Sequence, residues 1–192
     1  MKESQYSVKE EKLNVQSHAV GFLLSVLALV VLVVKSYSIQ QPLVLISAVV
    51  FGCSLVILYA ASTLYHQSKN AVKRRKLRIL DHAAIYVLIA GTYTPFVIVT
   101  LQYWTFLWFI WGFALTGILL KIFFTGRFDT FSTIMYVLMG WTGVVAIGPL
   151  IEHLPLPVYG GFLAEVFYIQ LELFFIALKN YLTIILSFIF LC

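Results

Sequence analysis

The sequence predicts an all-α fold, a polytopic transmembrane helix bundle of seven-helix type whose seventh helix is truncated or altered. Three observations carry this. The 192 residues are 61% hydrophobic and 11% charged, too apolar for a water-facing globule of this size. The apolar runs reach the roughly 20 residues needed to span about 30 Å of hydrocarbon. Connections of a few polar residues separate them, and so few polar positions leave lipid as the solvent.

Taken in order, the helices are predicted at about Val15–Val34, Leu43–His66, Leu80–Thr100, Trp104–Phe124, Thr130–Leu150, Val158–Leu178 and Tyr181–Cys192. Residues 1–14 read as a cytoplasmic N-terminal head and 15–192 as a single transmembrane helical domain. The first run follows a charged stretch, Lys2 to Lys12, but lacks an A-x-A-like cleavage site. With further spans behind it, it reads as the first helix and not as a removable signal. The last run, at about 12 residues, is too short to cross a bilayer.

Charge sets the expected orientation. Lys69, Lys73, Arg74, Arg75, Lys76 and Arg78 lie between the second and third runs, and Lys121 and Arg127 between the fourth and fifth. By the positive-inside rule these connections face the cytoplasm, which puts the N-terminus inside a multi-pass cell-membrane protein. The opposite connections, Lys35–Gln41, Gln102–Tyr103 and Ile151–Leu156, hold Lys35 as their one firm positive charge. The net charge of +5 is explained by this topology and by anionic lipid; the basic residues sit beside a span and not among the aromatics and glycines of a nucleic-acid module. Membrane lipids are the expected partners, with no nucleic acid. The sequence does not fix an oligomeric state.

Within the spans, Gly21 and Ser25, Gly112 and Gly117, and Gly140 and Gly143 permit close helix approach. Trp104 is placed as an interfacial anchor at the outer headgroup level, with Trp108 and Trp111 as packing residues. Cys53 and Cys192 fall in apolar runs and suggest neither a disulfide framework nor a metal-type pair.

Ionisable groups in or beside spans need a partner, water or an ion, which singles out His18, His66, Asp81, His82 and Glu152. Ser62 and His66 are four apart and share a face near the cytoplasmic end of the second helix. Asp81 and His82 open the predicted third helix at the same depth, and the short connection makes these ends neighbours. An imidazole beside a carboxylate suits a divalent metal with a water ligand. His66 alone could equally meet a headgroup or loop, and Asp81 alone could cap its helix. His18, four after Asn14, suits packing or hydrogen bonding better than ligation, and His153 reads as a solvated outer-loop residue.

Three segments, Asn14-Val-Gln-Ser-His18, Ser62-Thr-Leu-Tyr-His66 and Leu80-Asp-His-Ala-Ala-Ile-Tyr-Val-Leu-Ile-Ala-Gly-Thr-Tyr-Thr-Pro95, resemble the hemolysin III family, bacterial relatives of the progestin and adiponectin receptors. The resemblance covers about residues 10–163. It implies seven helices and a zinc site made by a His on the second helix and a His-x-x-x-His pair on the seventh, with an Asp on the third beside the metal-bound water. Here those positions map onto His66, with Ser62 beside it, and Asp81. His66 and Asp81 are thus the candidate metal residues, and Ser62 and Asp81 the candidate catalytic ones. The seventh-helix pair has no counterpart in Tyr181–Cys192, so zinc is expected in intact relatives and weak or absent in this chain.

The tail from Val166 can be encoded by codons that, read from one nucleotide earlier, give a string resembling the family's sixth and seventh helices, ending in Asn-His-Ser-Ile-Phe-His-Phe-Phe-Val. The expectation is a frameshift near Gly161–Glu165, with a genuine shorter homologue as the alternative. The tail as it stands puts Glu165, Gln170 and Glu172 in the sixth predicted helix, where a central acid costs up to about 2.5–3.5 kcal/mol. Three functions follow from the resemblance. The first is a membrane-resident protein associated with cytolysis, acting from within a membrane since no secretion signal or pore-forming strand pattern is seen. The second is a zinc-dependent hydrolase of lipid amides with Asp81 as base and Ser62 holding the site. The third is a non-catalytic regulator of membrane lipid composition.

Overall fold

In the computed structural model of the chain, residues 7–123 and 129–143 are described, together with Gly160 and Ala164. Every element among them is helical: α1 (Val8–Ile39), α2 (Pro42–Gln67), α3 (Ala71–Pro95), a π-helical turn (Phe96–Leu101), α4 (Trp104–Phe123) and α5 (Asp129–Trp141). Four helices are long and apolar enough to cross a membrane, and the chain is an all-α, multi-pass membrane protein. Helices α1 to α4 belong to one compact unit, Met1–Arg127, and α5 to a second, Phe128–Cys192. The predicted sixth and seventh helices, Glu152 and His153 lie outside the described residues.

Two helix starts differ from expectation for the same reason. The first helix begins at Val8, inside the stretch expected to be a charged head, because Ser7 and Glu10 form a reciprocal capping box. The Ser7 hydroxyl accepts from the Glu10 N–H, and the Glu10 carboxylate accepts from the Ser7 N–H at 2.7 Å, so two orphan donors of the first turn are satisfied. The third helix begins at Ala71, capped by the Asn70 side chain on the Lys73 N–H. The basic run from Lys73 to Arg78 is therefore helical, and the connection shrinks to Ser68–Asn70. Charges exclude a segment from hydrocarbon, but they do not stop a helix from starting in water and running inward. Asp81 accordingly lies well inside α3 and does not cap it.

At the opposite ends the first turn is tighter than the expected Lys35–Gln41, shrinking to Gln40–Gln41, and the second is the expected Gln102–Tyr103. Gln40 closes α1 in the left-handed region (φ 57°) and Pro42 opens α2 at its first turn; Gln102 makes the same left-handed exit (φ 52°) before α4. Pro95 has no N–H to donate, and the helix continues beyond it in the wider π geometry.

Packing makes α3 central: 61% of its apolar window is buried, against 6% for α1. Its inner surface includes Leu77, Ala84, Tyr86, Ile89 and Tyr93. In α4, Ile110, Ala114, Gly117 and Lys121 form the buried face. Outward, α1 exposes Leu23, Leu27, Val30 and Val34, the lipid-facing surface expected of a bilayer-solvated bundle.

Small residues set the helix spacing. A methyl group at Gly21 would come within 2.5 Å of the Tyr59 ring, and one at Gly52 would press on Leu29, so α1 and α2 meet through both. A methyl at Gly91 would overlap the Ser54 hydroxyl, and one at Gly117 the Tyr86 ring. Gly112, expected to do the same, has nothing within 4 Å, because it faces away from the inner surface of α4. Trp108, expected to pack, is 76% exposed for the same reason of helix phase, whereas the Trp111 indole N–H donates to Thr94 Oγ1 at 3.2 Å. In α5, Ser132, Met135, Tyr136 and Met139 are buried along one face, while Phe131, Ile134, Leu138 and Trp141 are exposed along the other.

Candidate functional site

Three helices bring their polar residues to one end of the bundle. Glu11 and His18, seven apart on α1, share a face two turns in extent; Ser62 and His66 share one on α2; Arg74, Arg78 and Asp81 share one on α3. The three-residue connection between α2 and α3 keeps the second and third of these sets adjacent.

On the inner side, the Ser62 hydroxyl lies within hydrogen-bonding reach of the Asp81 carboxylate. Ser62 is only 5% exposed, and the Asp81 side chain retains 16% of its surface. His66 and Arg78 lie within electrostatic reach of that carboxylate. His66 thus stands one helical turn from Ser62 and beside Asp81, so the structure brings the three sequence-predicted residues together.

Outward from this group, Glu11 contacts both neighbouring helices. Its Oε2 lies 2.9 Å from His66 Nδ1, and its Oε1 accepts from the Arg74 guanidinium. The His18 ring stacks on His66, centroids 5.3 Å apart and planes 3° from parallel. Tyr65 tilts against the same imidazole at 4.7 Å, and the Arg74 guanidinium sits over the Tyr65 ring at 4.8 Å, a cation–π geometry. Arg74 also donates to the Ser68 carbonyl at 3.3 Å, closing the connection between α2 and α3.

His82 goes elsewhere. Its Nδ1 is 2.8 Å from the Arg78 carbonyl on its own helix and 3.7 Å from Asp81 Oδ2, so it does not converge with His66. Glu11, Tyr65 and Arg74 were not singled out in the sequence. Their signal was available in the seven-residue spacing from Glu11 to His18, which requires knowing that α1 is already helical at Val8.

Zinc is the metal the resemblance implies. Catalytic zinc takes three protein ligands. Among the described residues no group of three or more His, Cys, Asp and Glu side chains is placed to hold a metal ion, and the His66 Nδ1 is committed to Glu11. The described donors do not fit a three-ligand zinc site.

The arrangement sets the Asp81 carboxylate beside an imidazole held by a second carboxylate, groups whose chemistry is to accept and donate protons. Comparison with known proteins places it in context. The family model described as "Haemolysin-III related" matches residues 6–189. "Hemolysin-3" of Bacillus cereus is 44% identical over 150 residues, covering 77% of this chain and 68% of that protein. The "Hemolysin-3 homolog" of Bacillus subtilis (strain 168) is 42% identical over 152 residues, 78% of this chain and 71% of the relative. No solved structure matches. With a multi-pass helical fold, a polar site shared by its first three helices and a family match across nearly its whole length, the chain belongs to the Haemolysin-III related family.

Proposed function

We propose that this chain is a membrane-resident hemolysin III-type protein that contributes to cytolysis from within the bilayer, through the polar site at one end of α1, α2 and α3. One observation carries the reading: Ser62, His66 and Asp81 converge inside a bundle whose outer faces are apolar. Ionisable side chains in a membrane are costly and mark functional sites. Lys73, Arg75 and Lys76, exposed on the first turns of α3, support by the positive-inside rule a cytoplasmic location for this end and an N-terminus inside. Membrane lipids are its partners. The purified chain, reconstituted into phospholipid vesicles loaded with a self-quenched dye, is expected to release dye, with Asp81→Asn and Ser62→Ala reducing release. Dye retention equal to that of protein-free vesicles, with insertion verified, refutes the reading.

The placement of the Ser62 hydroxyl beside Asp81, near His66, favours a second reading, hydrolysis of a lipid amide. Asp81 would accept the proton of a water attacking the amide carbonyl and return it to the amine as the C–N bond breaks, releasing the fatty acid, while Ser62 holds the carboxylate in place. No step is routed through zinc, since the described donors fall short of its ligand set. Incubation with a long-chain ceramide and mass-spectrometric detection of free fatty acid tests it. Fatty acid produced by the wild type and lost in Asp81→Asn supports hydrolysis; none above a protein-free control refutes it.

A further inference from the structure

His66 is gripped on an edge and on a face by the same helix. Glu11 Oε2 lies 2.9 Å from Nδ1, and the His18 ring, two turns further along α1, lies parallel to the imidazole at 5.3 Å. An ionised carboxylate only accepts hydrogen bonds, so Nδ1 must carry a proton to make this contact, and whenever the ring is neutral Nε2 is its acceptor nitrogen. The grip is itself anchored, because the second oxygen of Glu11 is held by Arg74 on α3, and Arg74 in turn lies over Tyr65 and donates to the Ser68 carbonyl. Glu11 side-chain exposure is 22% and that of His66 is 9%, so water competes poorly for the imidazole. The part of α1 that carries Glu11 is the part the charge pattern assigns to a solvated head; the capping box at Ser7 and Glu10 makes it helical and aims Glu11 inward.

From this geometry we propose that Glu11 is a positioning residue of the site. It fixes His66 in the Nδ1–H form with Nε2 as the acceptor nitrogen, while His18 fixes the plane of the ring. The inference rests on the reading that His66 belongs to the working site. It adds that α1 is part of that site and not merely a lipid-facing span. Carboxylates that orient a metal-ligating imidazole typically contribute 10–100-fold to metal affinity or activity, and that sets the scale expected of Glu11 here.

The full chain, labelled with 15N-histidine and reconstituted in bilayers, is examined by NMR at mildly alkaline pH, with His66 assigned by comparison with His66→Gln. Protonated and bare ring nitrogens resonate far apart, so the form of the ring is read directly. The expected wild-type spectrum shows a protonated Nδ1 and a bare Nε2; a bare Nδ1 overturns the proposal without recourse to any variant. Glu11→Ala is expected to shift His66 toward the Nε2–H form and to reduce dye release by about 10-fold or more. Glu11→Gln, whose amide oxygen still accepts from Nδ1–H, is expected to restore the spectrum and most of the release. An unchanged spectrum in Glu11→Ala overturns the proposal, and so does a changed spectrum with wild-type release. Should the wild type release no dye, the functional reading fails on its own, and the spectra alone decide whether Glu11 sets the form of His66.

Discussion

The Ser62 hydroxyl on α2 lies within hydrogen-bonding reach of the Asp81 carboxylate on α3, so a residue that the sequence marks as chemically costly has a polar neighbour on the next helix. Removing the hydroxyl leaves a largely buried carboxylate short of a donor, which costs about 1–3 kcal/mol. Ser62→Ala is therefore expected to lower the thermal unfolding midpoint in detergent. Asp81→Asn, which removes the charge while keeping hydrogen-bonding atoms, should be milder. Equal midpoints for Ser62→Ala and the wild type would contradict the contact.

Helix spacing supplies a second test. Gly91→Ala drives a methyl into Ser54, and Gly117→Ala drives one into Tyr86. Overpacking of this kind costs about 1–3 kcal/mol. Gly112→Ala, with open space around it, is expected to match or slightly exceed the wild type, because alanine favours the helix by up to about 1 kcal/mol over glycine. Unfolding curves of the three variants in one detergent give the ranking; a Gly112→Ala protein as unstable as Gly91→Ala would refute it.

Orientation is checked by accessibility. In a chain with Cys53 and Cys192 changed to Ser, Tyr103→Cys is expected to react with a membrane-impermeant maleimide on intact cells, and Lys73→Cys only after permeabilisation. The reverse pattern would invert the topology.

For the metal, analysis of the purified chain is expected to give well under one zinc per molecule. Close to one zinc per chain, lost in His66→Ala, would mean that residues beyond those described complete the ligand set. Reading the gene across the codons for Gly161–Glu165 complements this measurement, since a neighbouring frame without a His-x-x-x-His pair rules out the frameshift.

Much of the fold was legible because hydrocarbon demands long apolar runs. The start of α2 and the end of α4 lie within one residue of expectation, where Pro42 and the Lys121–Arg127 stretch punctuate the pattern. The starts of α1 and α3 were misplaced by several residues because charge was read as loop, although Ser7-x-x-Glu10 and Asn70 are capping signals. The same misreading hid half of the site. Ser62, His66 and Asp81 stand out as polar residues among apolar ones, whereas Glu11 and Arg74 lie in runs where every neighbour is polar. Which of them turns inward is decided by helix phase, and the phase is known only once the helix start is known.

The three-residue connection Ser68–Asn70 bears on how the protein is made. It ties the end of α2 to the start of α3, so the two are expected to enter the membrane as a hairpin. Asp81 then never meets lipid alone, because Ser62 is synthesised before it and arrives beside it. With α1 already in place to present Glu11 to His66 and Arg74, the site is assembled during biosynthesis, in chain order, before α4 closes against Tyr86.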